Sequence, residues 1–488
     1  MRYQFLLLSI LGSFTSFAQI DPAQKIYYGL LHAHTLISDG SGTPVEAFAM
    51  AKARGLNFFA VTEHNHDAAE SGAKERMDGV QIATTPALYN GASNVTITRN
   101  WKENDEEHTE TITIKPLIRA ARDATTASFV GLYGQEFSTI SSSNHVNVFG
   151  VGEVLDMDNG DFTALVAKLK SLPDVCLVQL NHPDVAMDLF YKGSKADTKK
   201  KMFNDYGIDA GDLGPHFKDL ITALDPYAHL IEVLSGPALS ASVEEDFQYD
   251  AYENDYFFYL KQGFHLSPSV GQDNHYPTWG SITDARVGIV ATTLTEAAIF
   301  EAIRLNRTFA TEDKNLKVIL YVNDNLMGSS IQAEEESELK IQVLIEDTDE
   351  PNSEYEISIY GAETEAELST EATNWKAKDG LLETITVSKN GTYTVSGIFA
   401  GKNPSFYYAR VMQNSTDDAW TAPVWVNEKQ ATAAGPLFYW TSNSSSKVYH
   451  IAGCSSVARI KPENLQTGTI PPANRTRHQC VVETDEDH

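Results

Sequence analysis

The sequence predicts an α/β barrel over residues 25–312, an antiparallel all-β sandwich over 315–430 and a small Cys/His module over 436–488. Three observations predict this. Short apolar runs alternate with helix-like segments from Tyr27 onward, the order expected of strands joined by crossover helices. Metal-type residues follow several of those runs, as they do when successive strands end at one rim. Beyond Asn315 the pattern changes to short alternating runs separated by turn residues, without histidine or cysteine up to Asn427.

The elements follow in order. Tyr27 to Leu31 reads as a strand that delivers His32 and His34 to one side, because alternate residues of an extended chain share a face. Thr43-Pro44-Val45-Glu46 has the features of a helix start, with Ala47, Met50 and Ala51 on one face and Gly55 as the stop. Leu56 to Val61 is the next strand, and its order with the preceding pair implies a parallel sheet. Further strands are expected at 129–134, 145–150, 175–180, 229–234, 266–271 and 287–292, and helices at 116–125, 161–171, 241–262 and 295–305. From Asn65 to about Lys115 the chain is polar, rich in Thr, Asn, Ala and Glu, and without a clear period, so it reads as a long insertion beside a ligand. In the sandwich, strands are expected at 317–322, 339–345, 355–360, 384–387, 392–398 and 406–411.

Composition removes several function classes. With 66 acidic against 37 basic residues and a net charge of -29, binding to nucleic acid or anionic lipid is disfavoured. Three cysteines are too few for a disulfide framework in 488 residues, so a conventional core must hold the chain. Met1-Arg2, the apolar run Phe5 to Leu11 and Ser16-Phe17-Ala18 form a secretory signal pattern over 1–18, predicting a secreted or periplasmic protein with no membrane span. Nothing in the sequence reports oligomeric state.

The chemistry lies in five segments: His32-Ala33-His34 with Asp39, Thr62-Glu63-His64, Gln135-Glu136 with His145, Asn181-His182-Pro183, and Asp273-Asn274-His275. Imidazole nitrogens and carboxylate oxygens are what divalent Zn, Mn or Fe accept, so the five predict a multinuclear centre. Asp184, Glu63 and Glu232 are candidates for supporting or proton-transfer roles. His66, His108, His216, His229 and His265 read as ordinary surface or hydrogen-bonded histidines, and Cys176 as a buried small hydrophobe. Arg286 and Arg307 fit either an anion contact or structural ion pairs.

His32-x-His34, Ser38-Asp39-Gly40, Val61-Thr62-Glu63-His64-Asn65, the Glu136 segment, Asn181-His182-Pro183 and Asp273-Asn274-His275 together resemble the PHP (polymerase and histidinol phosphatase) superfamily over residues 27–312. Glu63 stands where Asp is commoner there, and Gln272 where a small residue is usual. The signal pattern and appended sandwich are similar to secreted, carbaryl-hydrolase-like metallohydrolases. The resemblance implies a distorted seven-stranded barrel with two or three divalent ions: His32, His34, Glu136 and Asp273 on one, Glu136 with His145 and His182 on a second, and Asp39, His64 and His275 on a third. It implies a secreted phosphoesterase, mono- or diester, with Glu136, Asp273 and His275 at the catalytic centre, a small phosphorylated substrate and an ion-activated hydroxide as nucleophile. Hydrolysis of carbamates or carboxylic esters, and metal-containing binding without catalysis, are the other readings.

The tail carries Tyr449-His450-x3-Cys454 and Arg477-His478-Gln479-Cys480 after a Ser-rich linker. It fits a zinc site of His450, Cys454, His478 and Cys480, and its opening resembles Ada-type metal-binding modules. A Cys454–Cys480 disulfide fits as well.

Overall fold

The computed structural model describes residues 24–66, 80–103, 106–138, 145–158, 161–172, 176–183, 224–241, 250–364, 376–428, 438–443, 445–450, 460–461, 464–468 and 476–477. The architecture is mixed α/β with strands predominating. In chain order the first part contains β1 (Lys25–Leu30), α1 (Pro44–Ala53), β2 (Phe58–His64), α2 (Ala87–Asn90), β3 (Val95–Glu103), β4 (Glu106–Ile114), α3 (Leu117–Ala124), β5 (Val130–Phe137), β6 (Val146–Phe149), α4 (Phe162–Ser171), β7 (Leu177–Leu180), β8 (Ala228–Ser235), β9 (Asp250–Ala251), α5 (Glu253–Lys261), β10 (Ser267–Gly271), β11 (Arg286–Ala291), α6 (Glu296–Arg304) and β12 (Thr308–Thr311).

Local chemistry explains the helix starts. The Thr43 hydroxyl accepts from Glu46 N–H at 3.3 Å while Glu46 Oε2 accepts from Thr43 N–H at 2.7 Å, closing a capping box. Pro44, Ala47, Phe48 and Ala51 form its buried face. Asp161 and Thr295 cap α4 and α6 in the same sense.

The sheet corrects the expectation of parallel pairing. Its order is β10-β8-β7-β6-β5-β2-β1-β11-β12, with β1–β2, β2–β5, β7–β8 and β8–β10 parallel but β5–β6, β6–β7, β1–β11 and β11–β12 antiparallel. Among the described residues no ladder joins β10 to β11, although just past the strand ends Ala33 bridges Asn274, so the strand pairing by itself does not establish the closed seven-stranded barrel. The reversal at β6 keeps the donors together. His145 precedes β6, and the start of an antiparallel strand lies on the rim where its neighbour β5 ends.

The segment read as aperiodic contains a hairpin. β3 and β4 pair in unbroken register from Val95↔Ile114 to Glu103↔Glu106. The alternation is present in Val95-Thr96-Ile97-Thr98 and Thr111-Ile112-Thr113-Ile114, but most β4 side chains are exposed, so few apolar residues mark it. Val95, Ile97 and Ile112 pack against the core.

The second part contains β13 (Lys317–Val322), β14 (Asn325–Leu326), β15 (Ser330–Ile331), β16 (Ile341–Glu346), β17 (Glu354–Glu363), β18 (Leu381–Ser388), β19 (Gly391–Val395), β20 (Ser405–Gln413), β21 (Asp417–Thr421) and β22 (Val424–Val426). One sheet runs β14-β13-β16-β19, and its Val318, Leu320, Ile341 and Val343 share a buried cluster with Ile357, Ile359, Ala409 and Val411 of β17 and β20. β17 and β20 belong to the large sheet, because β12 pairs antiparallel with β21 at Phe309↔Thr421 and Ala310↔Trp420. The ladder therefore runs through the boundary expected at 312–315.

Polar pairs reinforce that junction. Arg410 is bidentate to Asp418 at 2.9 and 2.6 Å and reaches Glu253 of α5 at 3.3 Å. His265 Nε2 lies 2.8 Å from Glu428 Oε2, and its Nδ1 is 3.9 Å from Asp225. Burial by itself would lower His265, but the nearby Asp225 carboxylate and the hydrogen-bonded Glu428 outweigh that and hold it up at about 10. Its folded pKa thus exceeds its unfolded value of about 6.5, so its stabilisation is complete below that pH and lost as pH rises through about 10. His265→Gln is expected to lower the denaturant midpoint at about pH 6 and to match wild type more closely above pH 10; a pH-independent difference would contradict this. No helix among the described residues is long and apolar enough to cross a membrane. Residues 1–18 lie outside the described residues.

Candidate metal centre

Each donor reaches the rim for a local reason. Past the end of β1 the chain stays extended, with His34 N–H donating to Asn274 O at 2.8 Å and Thr62 N–H to Ala33 O at 2.8 Å, so His32 and His34 are pinned between neighbouring segments. The buried Trp279 indole donates to His34 O at 3.0 Å. His64 ends β2 and stands beside Glu136 of β5 in register. His182 and Asp273 follow β7 and β10 with left-handed φ values of 27° and 51°. Non-glycine residues hold that conformation where the surroundings impose it, often at functional sites.

All nine residues nominated as ligands come together here. His32 Nε2 lies 3.2 Å from His34 Nε2, from Glu136 Oε1 and from Asp273 Oδ1, while His34 Nε2 lies 3.0 Å from Glu136 Oε2 and 2.9 Å from Asp273 Oδ1. His32, His34, Glu136 and Asp273 form one group able to hold a metal ion; His34, Asp39, His64 and His275 form a second; His64, Glu136 and His145 form a third. In space His34 and His64 each face two groups, which differs from the one-ion assignments drawn from the family resemblance. His182 Nε2 approaches Glu136 Oε1 at 3.3 Å, and its ring packs beside His145 and His32, without joining any of the three.

Tautomers test whether these residues fit a cation. Glu232 Oε1 accepts from His32 Nδ1 at 2.8 Å, so the neutral ring turns its Nε2 lone pair toward Glu136 and Asp273. His275 Nδ1 donates to Asp273 O at 2.7 Å, leaving its Nε2 lone pair facing Asp39 Oδ2 at 3.1 Å. Lone pairs so opposed repel unless a cation or an extra proton lies between them. His34 Nδ1, Glu136 Oε2, His182 Nδ1 and Asp273 Oδ1 are buried without a hydrogen-bond partner, a situation that costs about 1–3 kcal/mol per group. The site fits divalent ions.

Protonation states carry the same tension. Burial opposes charge on His34, yet Asp273 and Glu136 hold it up at about 10, and Glu136, Asp273 and Glu232 hold buried His32 well above its usual value. Burial, with nearby His34, keeps His64 down at about 4 despite Asp39. Despite their own burial, Asp39 is held well below the usual carboxylate range by His64 and His275, and Glu136 by His32, His64 and His145. Cationic charge is what these carboxylates require.

The supporting residues were only partly legible. Glu63 is buried and pushed up to about 7 by that burial; it accepts from Thr35 N–H at 3.1 Å and from the Thr35 and Ser38 hydroxyls, shaping the loop that carries Asp39. Asn181 Nδ2 donates to Glu136 Oε1 at 2.8 Å, Ser138 Oγ lies 2.8 Å from His64 Nδ1, and Gln179 Nε2 donates to Asn181 Oδ1 at 3.0 Å. Sequence reasoning assigned these three no role. Their signal was polar alternation in an apolar strand: Gln179, Asn181 and Ser138 are buried beside the donors.

Other candidates resolve differently. Arg286 spends its guanidinium on the carbonyls of Thr283, Ala285 and Gly280, so it braces the loop before β11. His66 is 3.6 Å from Asp156 and joins none of the three groups. Cys176 is buried in the main core, as expected of a small hydrophobe. In the tail His450 is buried, while Cys454, His478 and Cys480, like Asp184 and His216, lie outside the described residues.

No family model matches the chain, and no curated protein does. Among solved structures it is similar to a two-domain protein containing a predicted PHP-like metal-dependent phosphoesterase from Bacteroides vulgatus, at 13% identity and a TM-score of 0.35, covering 81% of this chain and 94% of that one. It is also similar to the PmoD soluble domain from Methylocystis sp., at 14% identity and a TM-score of 0.17, covering 23% of this chain and 90% of that one. Similarity at this level leaves the chemistry to be read from the rim itself.

Proposed function

We propose that this chain is an exported metal-dependent hydrolase of small phosphoesters. The observation that carries the reading is the convergence of six imidazoles and three carboxylates on one buried rim, with donor atoms left unpartnered. His32, His34, Glu136 and Asp273 would hold one ion, Glu136 with His64, His145 and His182 a second, and His34, Asp39, His64 and His275 a third. When bound, such ions supply a nucleophile from water at neutral pH and neutralise charge on the ester oxygens.

The chain's own part is positional. Glu232 and the Asp273 carbonyl set the tautomers of His32 and His275, Asn181 orients Glu136, and Trp279 fixes the His34 backbone. Phosphate as the substrate class is supported by the motif resemblance. Charge agrees with it: in a chain of net charge -29, a rim filled with divalent ions is the place that attracts an anion. Export is supported by the basic, apolar and small-residue order of residues 1–18.

The test is a panel of chromogenic phosphomonoester, phosphodiester, carboxylic ester and carbamate substrates, with metal content and intact mass read on the same sample. Turnover confined to phosphates and a mature chain starting at Gln19 are the expected results. Preference for carboxylic esters or carbamates would replace the substrate class, and a fully metallated sample inert to the panel would overturn catalysis on these bonds.

A further inference from the structure

Glu232 is fully buried in β8, and both of its oxygens are committed. Oε1 lies 2.8 Å from His32 Nδ1 and 3.3 Å from Gln179 Nε2, while Oε2 accepts from the backbone N–H of His182 at 2.7 Å. His182 is the residue with the left-handed φ of 27°. The strand is adapted to this reach. Ser269 of β10 pairs with Glu232 but Val270 pairs with Leu234, so an extra residue bulges from β8 directly after Glu232. A Cβ added at Gly271 would lie 1.7 Å from Glu232 Oε1, so the carboxylate occupies the space that glycine leaves.

We propose that Glu232 is a positioning residue that couples two parts of the metal centre, fixing the His32 tautomer with one oxygen and the His182 backbone with the other. This rests on the metal-centre reading, though not on the substrate class. Only a carboxylate satisfies both partners, since each presents a proton. An amide has one accepting oxygen: turned toward His182, its NH2 group faces His32 Nδ1, which must then become the acceptor and carry its proton on Nε2. Turned the other way, the NH2 group meets the His182 N–H. Either orientation damages one half of the centre while leaving volume unchanged.

Glu232→Gln and wild type, both stripped by chelator, are to be titrated with Mn2+ alone by calorimetry, with bound metal counted per chain and the visible spectrum of the Co2+-loaded chains recorded. The expected result is an affinity loss of about 10–100-fold for at least one ion and an altered Co2+ spectrum, with circular dichroism retained. Gly271→Ala, which keeps the carboxylate but displaces it, should produce the same loss, and the double variant should fall short of the sum of the two. Unchanged stoichiometry, affinity and Co2+ spectrum in Glu232→Gln would overturn the proposal. So would a Gly271→Ala chain that binds like wild type. Because the probe is the metal alone, failure of the phosphoester panel leaves this result standing, whereas a wild-type chain that takes up no metal overturns both readings.

Discussion

A His32→Ala or Asp273→Asn chain is expected to lose metal and turnover together while keeping its fold. His32 Nε2 and Asp273 Oδ1 lie 3.2 Å apart within one four-donor group, so the first change deletes a donor and the second replaces an anionic oxygen with a weaker neutral amide. The loss should exceed the about 10–100-fold that outer partners of a ligand are worth. Asn is preferred to Ala at 273 because the backbone there has φ 51°, which Asn tolerates and which Ala occupies at a cost of about 1–2 kcal/mol. Metal content, turnover and circular dichroism on one preparation decide it; full turnover in either variant would refute the assigned centre.

Trp279→Ala should be the most destabilising single change near the site. Trp279 is fully buried, with its ring against Gly42, where an added Cβ would lie 2.7 Å from Cη2, and with its Nε1 donating to His34 O at 3.0 Å. Truncating a buried tryptophan costs about 3–5 kcal/mol in transfer and cavity terms. The His34 carbonyl also loses its partner, and with it the support of a donor common to two groups. Trp279→Phe keeps most of the volume and should cost about 1–3 kcal/mol for the unpartnered His34 carbonyl, separating packing from positioning. Denaturant midpoints at constant m value measure both. An alanine variant within 1 kcal/mol of wild type would show that the ring is not what holds His34.

The donors were legible because each is of a residue type with few other reasons to follow an apolar run. His32-Ala33-His34 and Asp273-Asn274-His275 announce themselves at that spacing. Glu232 was legible as one of three candidate supporting carboxylates, but which groups it serves was not, since its partners come from the distant His32 and His182. The β3–β4 hairpin was missed because its exposed faces carry Thr and Glu, so alternation exists without contrast in hydropathy.

By itself the sequence determined the element types over most of the chain, the capped start of α1, and which residues bear metal-binding chemistry. These are local properties, set by periodicity, caps and the donor atoms of each side chain. Only the tertiary structure decided strand direction at β6 and β11, the continuity of the sheet through β12 and β21, and the grouping in which His34 and His64 each face two clusters. Those depend on pairing between segments far apart in the chain, where hydrogen-bond register and burial choose among partners that local pattern leaves equivalent.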